Sequence, residues 1–190
     1  MDAYLSRYML YYPSTLLKGE FIYKHTRNYR HQQCAPLVQQ AQYAERRFRN
    51  IIAFARRHSP FYASRLEEVD TGMPFPDAVQ GIPFLQKADL IKHIDEIVTY
   101  KSKLASAKTT GGSTGEPVKL YKNPDALARE RAATWRSYGW AGITIGDRQA
   151  RFWGVPHGSM DSYKARAIDF VSNRRRLSAF DLGEEQLRAH

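Results

Sequence analysis

Lys108–Asn123 reads KTTGGSTGEPVKLYKN. Gly111, Gly112 and Gly115 crowd together with the hydroxyls of Thr109, Thr110, Ser113 and Thr114, between two short segments able to form strands. Glycine lets backbone N–H groups turn toward an anion with no Cβ in the way, and the hydroxyls add donors. Pro117 would stiffen the exit. The residues themselves fit a phosphate-wrapping loop or a flexible surface turn equally. The Gly-Lys-Ser/Thr ending of a Walker A loop is missing, and the spacing is not the dinucleotide fingerprint.

Downstream of this stretch, strand and helix signals alternate, which places the chain in the α/β class. Val118–Tyr121 is partly β-branched and aromatic and fits a strand leaving the loop. Asn123 can accept from an early free N–H while Pro124 takes the first helical position, and Leu127, Ala128, Ala132, Trp135 and Tyr138 supply the apolar side of the helix. Gly139 and Gly142 are stop signals, and TIGD at 144–147 reads as a turn. RQARFWG at 148–154 alternates as a strand with Ala150 and Phe152 on one face. An arginine-rich segment follows, then a strand expected through Leu177 to Phe180, then Asp181 and Glu184 spaced as a capping box. A helix opened there and stopped at His190 can bury little alone, so the sequence reads as interrupted.

Upstream, the pattern is helical. Leu37, Ala41, Ala44, Phe48, Ile51, Ile52 and Ala55 recur at helical spacing after Pro36, and Ser59-Pro60 ends the run with His58 as a helix-end residue. Residues 70–83, DTGMPFPDAVQGIP, read as an irregular connector. One short helix carrying Leu90, Ile91, Ile94 and Ile97 follows, with Lys87 and Asp89 on its entering turn. At the other end YLSRYMLYYP fits an amphipathic helix that stops before Pro13, its rings packing on the fold or on a membrane surface. The expected organisation is a helical region over 1–100 and the start of an α/β subdomain over 101–190.

A 43% hydrophobic content and aromatic residues spread from Tyr4 to Phe180 argue for a packed chain against a disordered one. The single cysteine, Cys34, rules out an internal disulfide and gives no zinc or iron spacing, so a reducing cytoplasm is the expected setting. There is no long apolar run for a spanning helix. The net charge of +10 favours polyanions, but the basic groups at Arg46–Arg47, Arg56–Arg57 and Arg174–Arg176 are too short to read as a nucleic-acid arm. No specific nucleic-acid partner is expected.

TGGSTGEP at Thr110–Pro117 resembles the phosphate-binding loop of the adenylate-forming enzymes, written (S/T)-(S/G)-G-(S/T)-T-G-x-P. RHSPFY at 57–62, IPFLQKADL at 82–90, WAGITIGDR at 140–148 and FWG at 152–154 fall in the same order as in the phenylacetate-CoA ligase-like branch, which includes the CapK proteins of capsular polysaccharide loci. The similarity runs from about Gly19 onward. It implies the opening part of the large subdomain of an ATP-dependent acyl ligase. In that family a carboxylate attacks the α-phosphate of ATP, and the acyl-adenylate then passes its acyl group to a thiol such as coenzyme A. It further implies that Thr110, Gly111, Gly112, Ser113, Thr114 and Gly115 hold phosphate oxygens, with ATP, Mg2+ and CoA as cofactors and a small carboxylic acid as substrate.

The departures are as informative. The family's Tyr-Gly-x-Thr-Glu segment, whose carboxylate helps hold magnesium, its ribose-binding aspartate and its mobile-domain lysine have no counterpart in this sequence. The chain is therefore expected to be a truncated part, incomplete for adenylation alone, and no catalytic residue or metal ligand is assigned. A non-catalytic nucleotide- or phosphate-binding relative, or one whose uncovered apolar face meets a second copy or another chain, is the alternative. His157 lies where relatives carry a loop near the acyl pocket or is a turn residue. Trp153 lines that pocket or fills the core, Lys119 reaches a phosphate or solvent, and Arg174–Arg176 meets an anionic ligand or is surface.

Overall fold

A computed structural model describes residues 1–100, 103, 105–110, 117–153 and 163–178. In chain order they form α1 (Ala3–Leu5), a π-helical segment (Ser6–Tyr11), α2 (Tyr12–Leu16), α3 (Ile22–Gln33), α4 (Leu37–His58), α5 (Pro60–Arg65), α6 (Phe75–Gln80), α7 (Lys87–Lys92) and α8 (Ile94–Ile97). Then come β1 (Ser106–Thr109), β2 (Lys119–Lys122), α9 (Pro124–Trp140), β3 (Gln149–Trp153), α10 (Tyr163–Val171) and β4 (Arg174–Ser178). This is a mixture of helices and small sheets, α/β in the coarse sense. The chain gathers into two compact units, one of Met1–Tyr29 with Ala128–His190 and one of Arg30–Leu127.

In the first unit Tyr11, Ile22, Ala128, Ala132 and Ile145 form the core, with Tyr12, Tyr29, Trp135 and Val171 packed around it. Ala128 and Ala132 are fully buried one helical turn apart, and their small side chains admit the equally buried Ile22. Tyr11 meets Trp135 edge-on at 6.2 Å, and the indole Nε1–H donates to the Tyr11 hydroxyl at 3.2 Å. The polar ends of both rings are thereby satisfied inside an apolar cluster.

The helix expected to stop before Pro13 instead runs on to Leu16. Proline lacks the N–H that a helical turn needs, and the chain before it is wound wider: the Tyr12 N–H reaches the Arg7 carbonyl, five residues back. The Ser14 and Thr15 hydroxyls donate to the carbonyls of Tyr11 and Tyr12 at 2.8 and 2.9 Å. The Ser6 hydroxyl, on the same segment, donates to the Val171 carbonyl at 3.3 Å and joins it to the end of α10.

β3 and β4 pair in parallel with Gln149 opposite Arg174 and Trp153 opposite Ser178. Parallel neighbours need a crossover, and α10 lies on that connection. The arginine-rich segment expected to precede a strand at 177–180 is itself the strand, because Arg174 and Arg176 project to one side and share a carboxylate on α10. The expected capping box at Asp181 lies outside the described residues.

In the second unit α4 is the long helix read from the sequence, ending at His58, whose ring lies 4.5 Å from that of Phe54. Ile52, Leu66 and Val69 form the core, with Phe48, Ala55, Tyr62 and Ile82 against it. Ser59 ends α4 and opens α5: its hydroxyl accepts the Tyr62 N–H at 3.3 Å and donates to the Glu96 carbonyl at 2.7 Å. Arg56 donates to the carbonyls of Leu66 and Val69, tying down the turn after α5.

Two expectations are corrected here. The connector at 70–83 contains α6, because Pro74 and Pro76 sit at the helix start, where a missing N–H costs nothing. The single short helix is two, α7 and α8, separated at His93, whose φ of −114° and ψ of 22° leave helical geometry. Among the described residues no helix is long and apolar enough to cross a membrane.

Candidate functional site

Two described strands flank the glycine-rich stretch in sequence. β1 and β2 pair antiparallel, Ser106 opposite Lys122 and Thr109 opposite Lys119. Beyond the last strand pair, Thr110 and Val118 bond each other reciprocally. The Thr110 N–H donates to the Val118 carbonyl at 3.0 Å, and the Val118 N–H donates to Thr110 Oγ1 at 3.0 Å. Val118 is buried, so this clasp is shielded on one side. Of the six residues expected to hold phosphate, Thr110 is described and serves as the clasp. Gly111, Gly112, Ser113, Thr114 and Gly115 lie outside the described residues.

Strand alternation places Thr109 and Lys119 on one face of the hairpin, with Lys108 and Leu120 on the other. Lys119 directs its ammonium over the Tyr121 ring, 5.3 Å from the centroid. Tyr121 lies farther down the strand from the tip, so this geometry gives Lys119 a cation–π contact along the strand. Lys108 is exposed two residues before the clasp. Trp153 ends β3 as part of the expected strand, whereas His157 lies outside the described residues.

A second constellation sits on the parallel strand pair. Arg174 Nε donates to Asp169 Oδ1 at 2.7 Å, and Arg176 Nε donates to Oδ1 and Oδ2, each at 2.9 Å. Arg176 Nη2 also donates to the Ala165 carbonyl at 2.9 Å. Partial burial pushes the Asp169 carboxyl up, but hydrogen bonds from Arg176 and Arg174 and their charges outweigh it and hold the group below the usual carboxylate value. The sequence showed the arginines but not their partner, since an aspartate inside an unrecognised helix carries no signal of what it will face.

That depressed pKa has a sign. Stability contributed by Asp169 is fully present above the ordinary aspartate value of about 3.9 and is lost as pH falls below it. Asp169→Asn should therefore cost about 1.5 kcal/mol at neutral pH, a charge-assisted pair discounted for partial exposure. Urea unfolding of both proteins across a pH series should show the difference shrinking to nothing as carboxylates protonate. A gap that persists unchanged into strong acid would mean that Asp169 acts by packing and not by charge.

Among the described residues no three His, Cys, Asp or Glu side chains are grouped to hold a metal ion. No family model matches the chain, and neither a curated protein nor a solved structure matches it.

Proposed function

We propose that the chain carries the phosphate-binding loop of an ATP-dependent acyl-adenylating ligase of the phenylacetate-CoA ligase-like kind, with adenylation needing groups beyond those in this sequence. The observation that carries the reading is the clasp between Thr110 and Val118, which bracket the glycine- and hydroxyl-rich segment in sequence. A segment whose ends are held together loses less freedom on enclosing a ligand than one whose ends are free. The N–H and O–H donors of that segment would act on phosphates by electrostatic positioning, the larger part of phosphoryl-type catalysis. Mg2+ would neutralise the phosphate charge, the carboxylic acid would be the acyl donor, and CoA the thiol acceptor.

The test is binding first and chemistry second. The chain should bind ATP and inorganic pyrophosphate saturably, and Ser113→Ala/Thr114→Ala should weaken both about tenfold, the loss of roughly 1.4 kcal/mol of hydrogen bonding. Calorimetric titration giving equal affinities for both proteins would remove the loop from the account. Carboxylate-dependent exchange of pyrophosphate into ATP then separates a ligase part from a non-catalytic phosphate binder. The first needs exchange to appear when the chain is joined to the missing groups, and the second gives binding without exchange.

A further inference from the structure

We propose a second anion site, on the first unit, that takes a small phosphorylated molecule with its phosphate on Arg148 and Arg175 and its apolar part against Phe170. A cleft of about 430 Å³ opens where β3 and β4 begin, a size suited to a small-molecule ligand. Three arginines, Arg148, Arg174 and Arg175, are among its lining residues, with Asp169 as the acidic one. That carboxylate is already committed, since Arg174 and Arg176 both donate to it through Nε. Arg148 and Arg175 are exposed, and among the described residues neither is engaged in an ion pair or hydrogen bond.

Positive charge held without a partner at the mouth of a concavity favours an anion, and a guanidinium fork matches phosphate geometry. Gln149, also in the lining, has a side-chain amide nitrogen buried with no hydrogen-bond partner among the described residues. Phe170, 65% exposed, gives the same cleft an uncovered aromatic wall on which a planar group can lie.

The floor of the cleft is fixed. Asn173 adopts a left-handed conformation at φ 48°, and its side-chain amide donates to the carbonyls of Gly146 at 2.7 Å and Met1 at 3.1 Å. The Gln149 N–H donates to the Asn173 carbonyl at 3.2 Å, which sets the starts of the two strands side by side. Gln149 and Arg174 are the first residues of their strands. The cleft thus lies at the amino ends of a parallel pair, opposite the carboxyl ends where open α/β sheets place their ligands. It shares no residue with the hairpin loop.

The experiment uses the full chain and two probes, inorganic phosphate and 5′-AMP, followed by NMR chemical-shift titration with adenosine as the uncharged control. Expected is saturable binding of 5′-AMP tighter than that of phosphate, little binding of adenosine, and a loss of tenfold or more in Arg148→Gln/Arg175→Gln, about 1.4 kcal/mol. Both arginines are exposed, so the variant should fold, and its spectrum checks this. Gln149→Glu, close in size, should weaken binding further by placing a carboxylate in the lining. Ser113→Ala/Thr114→Ala should leave this site untouched, so failure here and failure of the loop reading are separable. Adenosine binding as well as 5′-AMP, unchanged affinity in the arginine variant, or no saturation by about 10 mM ligand would each overturn the proposal.

Discussion

Gly146→Ala should be among the most damaging single substitutions in this chain, costing at least about 4 kcal/mol, a loss reserved for a few steric mechanisms. Gly146 has φ of 96°, which an L side chain rarely adopts. A Cβ built there would lie 2.2 Å from the Ala3 carbonyl oxygen and 3.1 Å from both the Ala3 carbonyl carbon and the Arg7 nitrogen. All three are backbone atoms, so no rotamer change relieves the clash. Nor can the 144–147 turn move away freely. Arg7 donates to the Ile145 carbonyl and the Thr144 hydroxyl, Asp147 accepts the Thr144 N–H at 2.6 Å, and Asn173 holds the Gly146 carbonyl.

Gly142→Ala is the matched control. Its φ of 77° carries the same conformational penalty, but a Cβ there meets nothing within 4 Å. It should cost about 1–2 kcal/mol, the strain of the left-handed conformation alone. Urea denaturation followed by circular dichroism measures both. Domains are stable by only about 5–15 kcal/mol, so Gly146→Ala should lower the midpoint sharply or leave the first unit unfolded at room temperature. Equal, small losses in the two variants would show that the start of α1 is not seated on this turn in solution.

The turn also shows how far the sequence reaches. TIGD was legible as a turn because its signals are local: an Asp side chain closing on a nearby N–H and a glycine at positive φ. That it receives the amino end of the chain was not, because contact between residues 3 and 146 leaves no mark in either segment. α4 illustrates the same limit. Its periodicity identified an apolar face, but only part of that face is covered: Ile52 is 6% exposed, while Leu37 is 81% and even its neighbour Ile51 58% exposed. Periodicity fixes a direction on a helix and says nothing of what lies there.

The misread elements share a physical cause. At Pro74-Phe75-Pro76 the prolines fall at a helix start and break nothing, and at Pro13 the wider π-helical winding before it accommodates the ring. β4 begins at Arg174, ahead of the strand expected at 177–180, and one carboxylate on the crossover helix pairs with two of its three arginines. For the candidate site, Thr110 illustrates the limit. The family resemblance singled it out, whereas its bond to Val118 depends on strand register, which follows from pairing and not from composition.

Arg131→Met should cost about 3 kcal/mol, more than any exposed ion pair warrants, because the partner left behind is buried. The Arg131 side chain is 42% exposed, yet the Glu20 side chain it binds is only 6% exposed. Glu20 is held in place by its own backbone, whose N–H donates to the Thr15 carbonyl at 2.9 Å and whose carbonyl accepts the Ile22 N–H at 2.9 Å. Ile22 is fully buried in the core. Swinging the carboxylate out to water would therefore disturb the segment that delivers Ile22, so the charge stays where it is and goes uncompensated. Methionine keeps the length and apolar stem of arginine, which isolates the charge from packing. Glu20→Gln/Arg131→Met should then recover more than half of the loss, since a neutral amide costs far less to bury than a carboxylate. A double-mutant cycle by urea unfolding gives the coupling directly. Coupling below about 0.5 kcal/mol would class the pair with surface bridges and mean that water reaches Glu20.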